Sequence, residues 1–175
     1  MSTSYYFHKN IIRYSNRPFN DINEMNEEMI YRHNSVVKKG DITIHAGDFL
    51  LVNNKDLAEK IIKRLNGKHI FLMGSHDRWL KNNQRNAGYI LELKYRKQLI
   101  VICHYAMRTW NRSHYNSWHL YAHSHGRLPS IGKSMDIGVD CNNYYPFSLD
   151  QIISIMETKE DNPNLIVNGK KKYDK

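Results

Sequence analysis

Apolar positions along the chain switch repeatedly between helical spacing and short strand-like runs. Residues 22–34 carry apolar side chains close to helical spacing behind Asp21, a residue type that caps helices, so we predict a helix there. A second helix is predicted over 56–65, where Asn66-Gly67 ends it, and a third over 149–156. Short apolar runs predict strands at 42–46, 69–73, 89–93, 99–103, 118–122 and 135–139. Strands that alternate with helices indicate a layered α/β domain.

Chemically active side chains fall directly after several of these strands. Asp48, the 74–77 turn, His104 and His123 each follow a predicted strand. Ligands in such sheets bind beyond the carboxyl ends of the strands. The sequence therefore predicts that these segments, although distant along the chain, assemble one site.

Together these segments supply a set of metal-binding groups. The candidates are Asp48, His76, Asp77, His104, His123 and His125. Imidazoles suit Zn, Fe, Ni and Cu, and a carboxylate adds Mn and Mg. His123 and His125 are two residues apart, which places both on one side of an extended strand end. We interpret the other histidines of the predicted elements and loops as packing or surface residues: His33, His45, His69, His114 and His119.

Composition favours one globular domain with affinity for anions. The chain has 175 residues, 41% of them hydrophobic, and a net charge of +9. That charge is compatible with attraction to phosphate-bearing partners, nucleic acid included, or with solubility alone. Part of it lies near the end of the chain, where we predict a loose, polar, basic tail over 159–175 after a domain over 1–158; its lysines are Lys170, Lys171, Lys172 and Lys175.

The sequence also carries signals about location. It contains no apolar run of membrane-spanning length and begins without a long apolar stretch, so we expect neither a membrane span nor a signal peptide. Its two cysteines, Cys103 and Cys141, do not form a CxxC pair. We therefore expect no disulfide framework, and we expect the protein to lie in the reducing cytoplasm.

The order of the polar motifs resembles that of a known superfamily. Gly47-Asp48, Gly74-Ser75-His76-Asp77, Cys103-His104 and Ala122-His123-Ser124-His125 follow one another as in the calcineurin-like metallophosphoesterases, in a small single-domain branch. Further stretches at 8–12, 16–19, 25–27, 65–68 and 138–143 look like that branch, so the resemblance covers about residues 2–156. It implies a layered β-sandwich flanked by helices and hydrolysis of a phosphomonoester or phosphodiester.

The resemblance also implies roles for individual residues. Two metal ions about 3.5–4 Å apart would clamp the phosphate. Asp48 would bridge them, His104 and His123 would bind one ion, and His125 would bind the other. His76, oriented by Asp77, would protonate the leaving oxygen. Weaker candidates to hold phosphate oxygens are His8, Lys9 and Arg17.

Three positions depart from the pattern of the superfamily. Thr3 and Tyr5 stand where it carries an aspartate and a histidine, and Ser75 replaces an asparagine ligand. A threonine hydroxyl is a weak ligand, and Tyr5 would have to ionise well below its free pKa of about 10 to bind a metal. We therefore expect one divalent ion, Mn, Fe, Zn or Ni, rather than two.

These departures leave two other functions open. The chain could be a catalytically impaired pseudoenzyme that binds phosphate, a nucleotide or a protein through the same fold. Nucleic acid is also a possible partner, because of the net charge of +9 and of aromatic residues such as Tyr5, Tyr6, Trp110 and Trp118. The substrate expected for the enzyme is a phosphorylated small molecule or a nucleotide.

Overall fold

A computed structural model describes residues 1–167 and the backbone of Lys170–Lys171. Its helices are α1 (Lys9–Tyr14), α2 (Ile22–Val36), α3 (Lys55–Ile62) and α4 (Leu149–Thr158). Its strands are β1 (Ile42–His45), β2 (Lys68–Phe71), β3 (Ile90–Tyr95), β4 (Gln98–Cys103), β5 (Trp118–Tyr121), β6 (Ser134–Asp136), β7 (Ile166–Val167) and β8 (Lys170–Lys171). The predicted α/β class is confirmed.

Local capping explains where the helices begin. The Asp21 side chain accepts hydrogen bonds from the backbone N–H groups of Asn23 and Glu24, so the predicted cap of α2 is confirmed. At α4, Ser148 and Gln151 bond to each other's backbone N–H groups in a reciprocal capping box. The short helix α1 begins after His8, whose side chain caps it.

The first sheet is built on two parallel strands. β1 and β2 pair in parallel, with Ile44 opposite Ile70. Parallel bridges from Ser2 to His45 and from Tyr6 to Leu50 add the N-terminal segment beside β1. This pairing brings residues 3–5 alongside the turn that follows β1, and therefore beside Asp48.

The second sheet has the strand order β3-β4-β5-β6. β3 and β4 form an antiparallel pair, whereas β4, β5 and β6 run parallel to one another. His104 directly follows β4, and His123 follows β5 by one residue. Because these two strands are parallel neighbours, both histidines emerge at the same edge of the sheet.

Apolar side chains on opposite faces of the first sheet enter two different cores. Phe71 packs with residues of α2 and α3 in one core. Its neighbour Leu72 packs in the other, with Ile100 and Leu120 of the second sheet and Ile152 of α4. Adjacent residues of an extended strand point to opposite faces, which explains the division. The two sheets and α4 thus share one apolar core.

Two predicted features differ in the structure. Residues 159–167 are not a loose tail: Asn162 is 0% exposed, and its side-chain amide donates to the carbonyl oxygens of Ser113 and Ser117, each at 2.9 Å. A polar sequence favours solvation, but this amide instead satisfies buried backbone groups. Lys172, Lys175 and the side chains of Lys170 and Lys171 lie outside the described residues.

The last predicted strand is shorter than expected. Strand β6 covers Ser134–Asp136, and a 3-10 helix, Val139–Cys141, replaces its predicted end. Asp136 accepts the N–H of Gly138 at 2.7 Å, which turns the chain. None of the helices in the described part of the chain has the length and apolar character needed to cross a membrane.

Candidate metal centre

Asp48 lies in a tight turn after β1. Its backbone has a φ of 51° and follows Gly47, whose φ is 87°. A side chain at Gly74 would collide with the Asp48 carboxylate, so the 74–77 turn approaches Asp48 only because residue 74 is glycine. The predicted meeting of Asp48 with this turn is confirmed.

The carboxylate of Asp48 is buried and accepts several hydrogen bonds. The His76 backbone N–H donates to one oxygen at 2.8 Å, and the Ser75 hydroxyl donates to the other at 2.9 Å. The second oxygen also lies 3.1 Å from Nε2 of His104. Burial would raise the pKa of Asp48, but the bonds from His104, His76 and Ser75 outweigh it and hold that pKa well below its ordinary value. Asp48 is therefore an anion inside the protein.

His104 is oriented by the backbone. Its Nδ1 lies 2.9 Å from the carbonyl oxygen of Ala46. A carbonyl only accepts, so Nδ1 carries a proton and donates it. Nε2 then faces both Asp48 and Nδ1 of His123, the latter at 3.1 Å. Fixing one imidazole nitrogen in this way is how proteins orient histidine ligands towards a metal.

Asp48, His104 and His123 form a group that could hold a metal ion. One ligand atom from each lies within 4.8 Å of the others. Burial would lower the pKa of His104, but the hydrogen bond to Asp48 outweighs burial and raises it. For His123, burial and the neighbouring His104 both lower the pKa. An anionic oxygen and two imidazole nitrogens fit Mn, Fe, Ni or Zn.

His125, predicted to be a metal ligand, lies outside this group. Its Nδ1 donates to Asp140 at 2.8 Å, and its ring lies 4.6 Å from that of Tyr5. Asp140 is itself held by Nε and Nη2 of Arg17, both at 2.8 Å. His125 therefore stays a predicted ligand, because a bond from Nδ1 to a carboxylate also orients metal-binding histidines and leaves Nε2 as the nitrogen that could bind an ion.

Asp77 does not orient His76. Its buried carboxylate accepts the backbone N–H groups of Asp48, Phe49 (3.0 Å) and Gly74 (3.0 Å) and the indole N–H of Trp79 (3.1 Å). These bonds fasten the 74–77 turn to the end of β1. Asp77 is thus a structural residue of the site, and the prediction that it supports a catalytic His76 is wrong. His76 itself is exposed beside Asp48.

The predicted phosphate contacts separate into two kinds. Arg17 has a side chain with 0% exposure and is bound to Asp140, which leaves it no surface for a phosphate; the structure gives it a structural role instead. Lys9 is exposed at the start of α1. His8 is half-buried, and burial together with the charges of His76, Arg17 and His125 lowers its pKa. His8 therefore lies near His76 and His125, at the open side of the site.

Thr3 and Tyr5, two of the three positions that depart from the resemblance, are both buried. Tyr5 is buried and has a φ of 60°, and its phenol lies near the Asp48 carboxylate. Burial and the negative charge of Asp48 raise the pKa of Tyr5, so the phenol keeps its proton. The Thr3 hydroxyl is buried without a hydrogen-bond partner among the described residues. Neither side chain supplies the anionic ligand that a second ion would need.

Asp140 and His119 are the site residues that sequence reasoning missed. Asp140 meets its partner Arg17 across 123 positions of sequence, so no local pattern reveals the pair. His119 is buried and accepts the Met107 N–H at 3.1 Å, which holds the loop after His104. Its place inside a strand gave it the pattern of a packing residue.

No protein-family model matches the chain. A protein of Methanocaldococcus jannaschii named uncharacterized protein MJ1445 is 32% identical over 165 residues, which cover 90% of this chain and 89% of that protein. The crystal structure of AQ665 from Aquifex aeolicus, described as a protein of unknown function, superposes with a TM-score of 0.68 over 89% of this chain and 96% of that chain. Its sequence is 21% identical, so the likeness is one of fold.

Proposed function

The chain belongs to the family of the Methanocaldococcus jannaschii protein MJ1445, and we propose that it is a metal-dependent phosphoesterase that hydrolyses a phosphomonoester or phosphodiester. The observation that carries the proposal is the convergence of Asp48, His104 and His123, with His104 locked in the tautomer that turns Nε2 inward. A calcineurin-like sandwich is part of the proposal. The core shared by the two sheets and the position of the motifs at strand ends support it.

The donor set supports one ion of the Mn, Fe, Zn or Ni kind. Metal binding would displace the Nε2 proton through which His104 bonds to Asp48, and the resulting two imidazole nitrogens and one carboxylate match these metals. A divalent ion there would polarise a phosphoryl oxygen and lower the pKa of a bound water. Tyr5 favours a single ion, because the buried, protonated phenol stands where the resemblance implies a ligand of a second ion.

The protein's own groups would carry the remaining steps. His76 lies exposed beside Asp48, where its imidazolium can give a proton to the leaving ester oxygen. Water forms the new bond to phosphorus as the ester P–O bond breaks, and the proton lost by water passes to solvent. General acid catalysis of this kind contributes about 10²–10⁴-fold. His8, whose Nδ1 accepts the Ile11 N–H, would donate a hydrogen bond from Nε2 to a phosphate oxygen at the open side of the site, with exposed Lys9 nearby on α1.

Hydrolysis of simple esters tests the proposal. An aryl phosphate and an aryl phosphodiester are assayed with Mn²⁺, Ni²⁺, Zn²⁺ and Fe²⁺, for the wild type and for His76→Ala. We expect hydrolysis with at least one metal and a loss of about 10²-fold or more in His76→Ala. His114→Ala, a half-buried histidine away from these motifs, is the matched control. Activity that survives His76→Ala would contradict the assigned mechanism.

A pseudoenzyme is the second candidate, and Tyr5 favours it. Its phenol stays protonated near Asp48, and Thr3 and Tyr5 together replace two ligands that the resemblance implies for full catalysis. The protein would then bind a phosphorylated ligand or another protein without turning it over. Absence of hydrolysis with every metal, together with retained binding of inorganic phosphate, would favour this candidate.

Partners and location follow from the same chemistry. The ligand would be a phosphorylated small molecule or nucleotide, and the net charge of +9 keeps nucleic acid within the proposal as a partner. A cytoplasmic location fits the two cysteines, which are both free thiols.

A further inference from the structure

Tyr105 projects beside the candidate metal centre. It follows His104 directly, and its ring centroid lies 4.8 Å from that of His104 and 4.9 Å from that of His123. Both contacts are steeply tilted, at 76° and 64°. The residue nevertheless keeps 46% of its surface exposed. An aromatic surface is thus open to solvent next to two of the three ligand side chains.

The backbone around Tyr105 is held in place by His119 of the neighbouring strand β5. His119 is fully buried in β5, and its Nδ1 donates to the carbonyl oxygen of Val101 at 3.1 Å. The unprotonated Nε2 then accepts the Met107 N–H at 3.1 Å. This bond ties the loop that follows β4 to the neighbouring strand. Tyr105 is therefore presented on an anchored loop, so little ordering cost accompanies a contact with a ligand.

We propose that Tyr105 determines substrate specificity by stacking on a planar ring of the substrate, which makes the preferred substrate a nucleoside phosphate rather than an alkyl phosphate. The inference rests on the proposed phosphoesterase function. Every nucleobase has a π-face that stacks on tyrosine. A phosphate held at Asp48, His104 and His123 leaves the rest of a nucleotide beside the Tyr105 ring. Exposed tyrosines such as Tyr31 of α2 have no such neighbours among the metal-binding residues.

The experiment compares two phosphate esters in variants at two tyrosines. With the same metal ion in every assay, the kcat/KM of a nucleoside 5′-monophosphate is divided by the kcat/KM of glycerol phosphate. Calorimetry separately measures the binding of the nucleotide and of inorganic phosphate. We expect Tyr105→Leu to lower the kcat/KM ratio at least fivefold, chiefly through the KM of the nucleotide, and to weaken nucleotide binding equally. Tyr105→Phe retains the aromatic ring and should preserve the ratio. Tyr31→Leu, which removes a tyrosine that is 66% exposed, is the matched control.

The outcomes separate this inference from the proposed function. Hydrolysis of both esters with a ratio that Tyr105→Leu leaves unchanged would overturn the role of Tyr105 and leave the phosphoesterase intact. Failure to hydrolyse either ester, with no binding of phosphate, would overturn both. An equal fall in the ratio for Tyr31→Leu would also contradict the inference, because the effect would not depend on position beside the centre.

Discussion

Nδ1 of His104 donates a hydrogen bond to the carbonyl oxygen of Ala46 at 2.9 Å. Ala46 lies just past β1 of the first sheet, and His104 just past β4 of the second. This one bond therefore ties the two sheets together at the site and sets the direction of Nε2. The candidate centre depends on it, because the alternative tautomer would turn an N–H towards the other ligand atoms.

Removal of His123 is expected to abolish tight metal binding without unfolding the protein. His123→Ala deletes one of three ligands, and the side chain is exposed, so its loss leaves the cores intact. We expect the Kd for Mn²⁺ or Zn²⁺ to rise at least about tenfold, since even residues that only orient ligands cost 10–100-fold. Isothermal titration calorimetry measures the Kd, and His114→Ala is the control. Unchanged affinity in His123→Ala would remove this residue from the centre.

Asp140→Asn is expected to destabilise the fold strongly. The substitution leaves the buried Arg17 guanidinium without its anionic partner, a loss that costs about 3–5 kcal/mol. Glu27→Gln is the matched control, because Glu27 pairs with Arg64 on the surface, where such pairs contribute about 0–1 kcal/mol. Urea unfolding gives both values. Equal effects of the two substitutions would contradict the structural role of the Arg17–Asp140 pair.

Three buried histidines predict a loss of stability in acid. Nε2 of His45 lies 3.1 Å from Nδ1 of His69, and His33 stacks nearby. Burial lowers the pKa of all three, that of His69 to about 4, and Arg85 next to His69 adds to the effect there. In the unfolded chain each histidine is protonated near the ordinary histidine pKa of about 6.5, whereas in the folded protein protonation requires a lower pH. The free energy of unfolding should therefore fall as the pH drops from about 6.5 towards 4.

Variants isolate this histidine effect. Between pH 7.5 and pH 5, the free energy of unfolding should drop less in His69→Leu than in the wild type. The variant lacks one of the histidines whose pKa is lower in the folded protein than in the unfolded chain. His114→Gln should show the same drop as the wild type. Chemical denaturation at the two pH values measures it. An undiminished drop in His69→Leu would show that other groups cause the acid sensitivity.

Asn162→Ala is expected to weaken the attachment of the terminal segment. The amide bonds two carbonyl oxygens, of Ser113 and Ser117, in a fully buried position. Alanine also leaves the Lys133 N–H, which donates to Asn162 Oδ1 at 2.8 Å, without that acceptor, and an unsatisfied group of this kind costs about 1–3 kcal/mol. Asn53→Ala, an exposed control, should change stability by less than about 0.5 kcal/mol. A neutral Asn162→Ala would restore the prediction of a loosely attached tail.

The sequence predicted the strands that carry the site because their signals are local. Apolar runs placed strands near the observed β1, β4 and β5, and Asp48, His104 and His123 lie within three residues of their ends. Parallel pairing of β4 with β5 brings His104 and His123 together, and Asp48 reaches them from the first sheet, so strand-end positions identified three candidate ligands. The Asp21 cap of α2 was equally local, since a cap needs only the next few N–H groups.

What the sequence could not predict depends on partners that are distant along the chain. The bond from His125 to Asp140, and the two bonds by which Arg17 holds Asp140, join segments that no sequence spacing relates. Asp77 looks like a catalytic partner of its neighbour His76, yet backbone N–H groups occupy its oxygens. Hydrogen-bond saturation of a buried carboxylate is a tertiary property that no sequence spacing encodes.

The position of bound metal tests the central claim most directly. Crystals of the wild type grown with Mn²⁺ should show one anomalous-scattering peak, within coordination distance of Asp48, His104 and His123. Two neighbouring peaks would contradict the single-ion account. No peak at these residues at millimolar Mn²⁺, or a peak elsewhere, would contradict the metal centre itself.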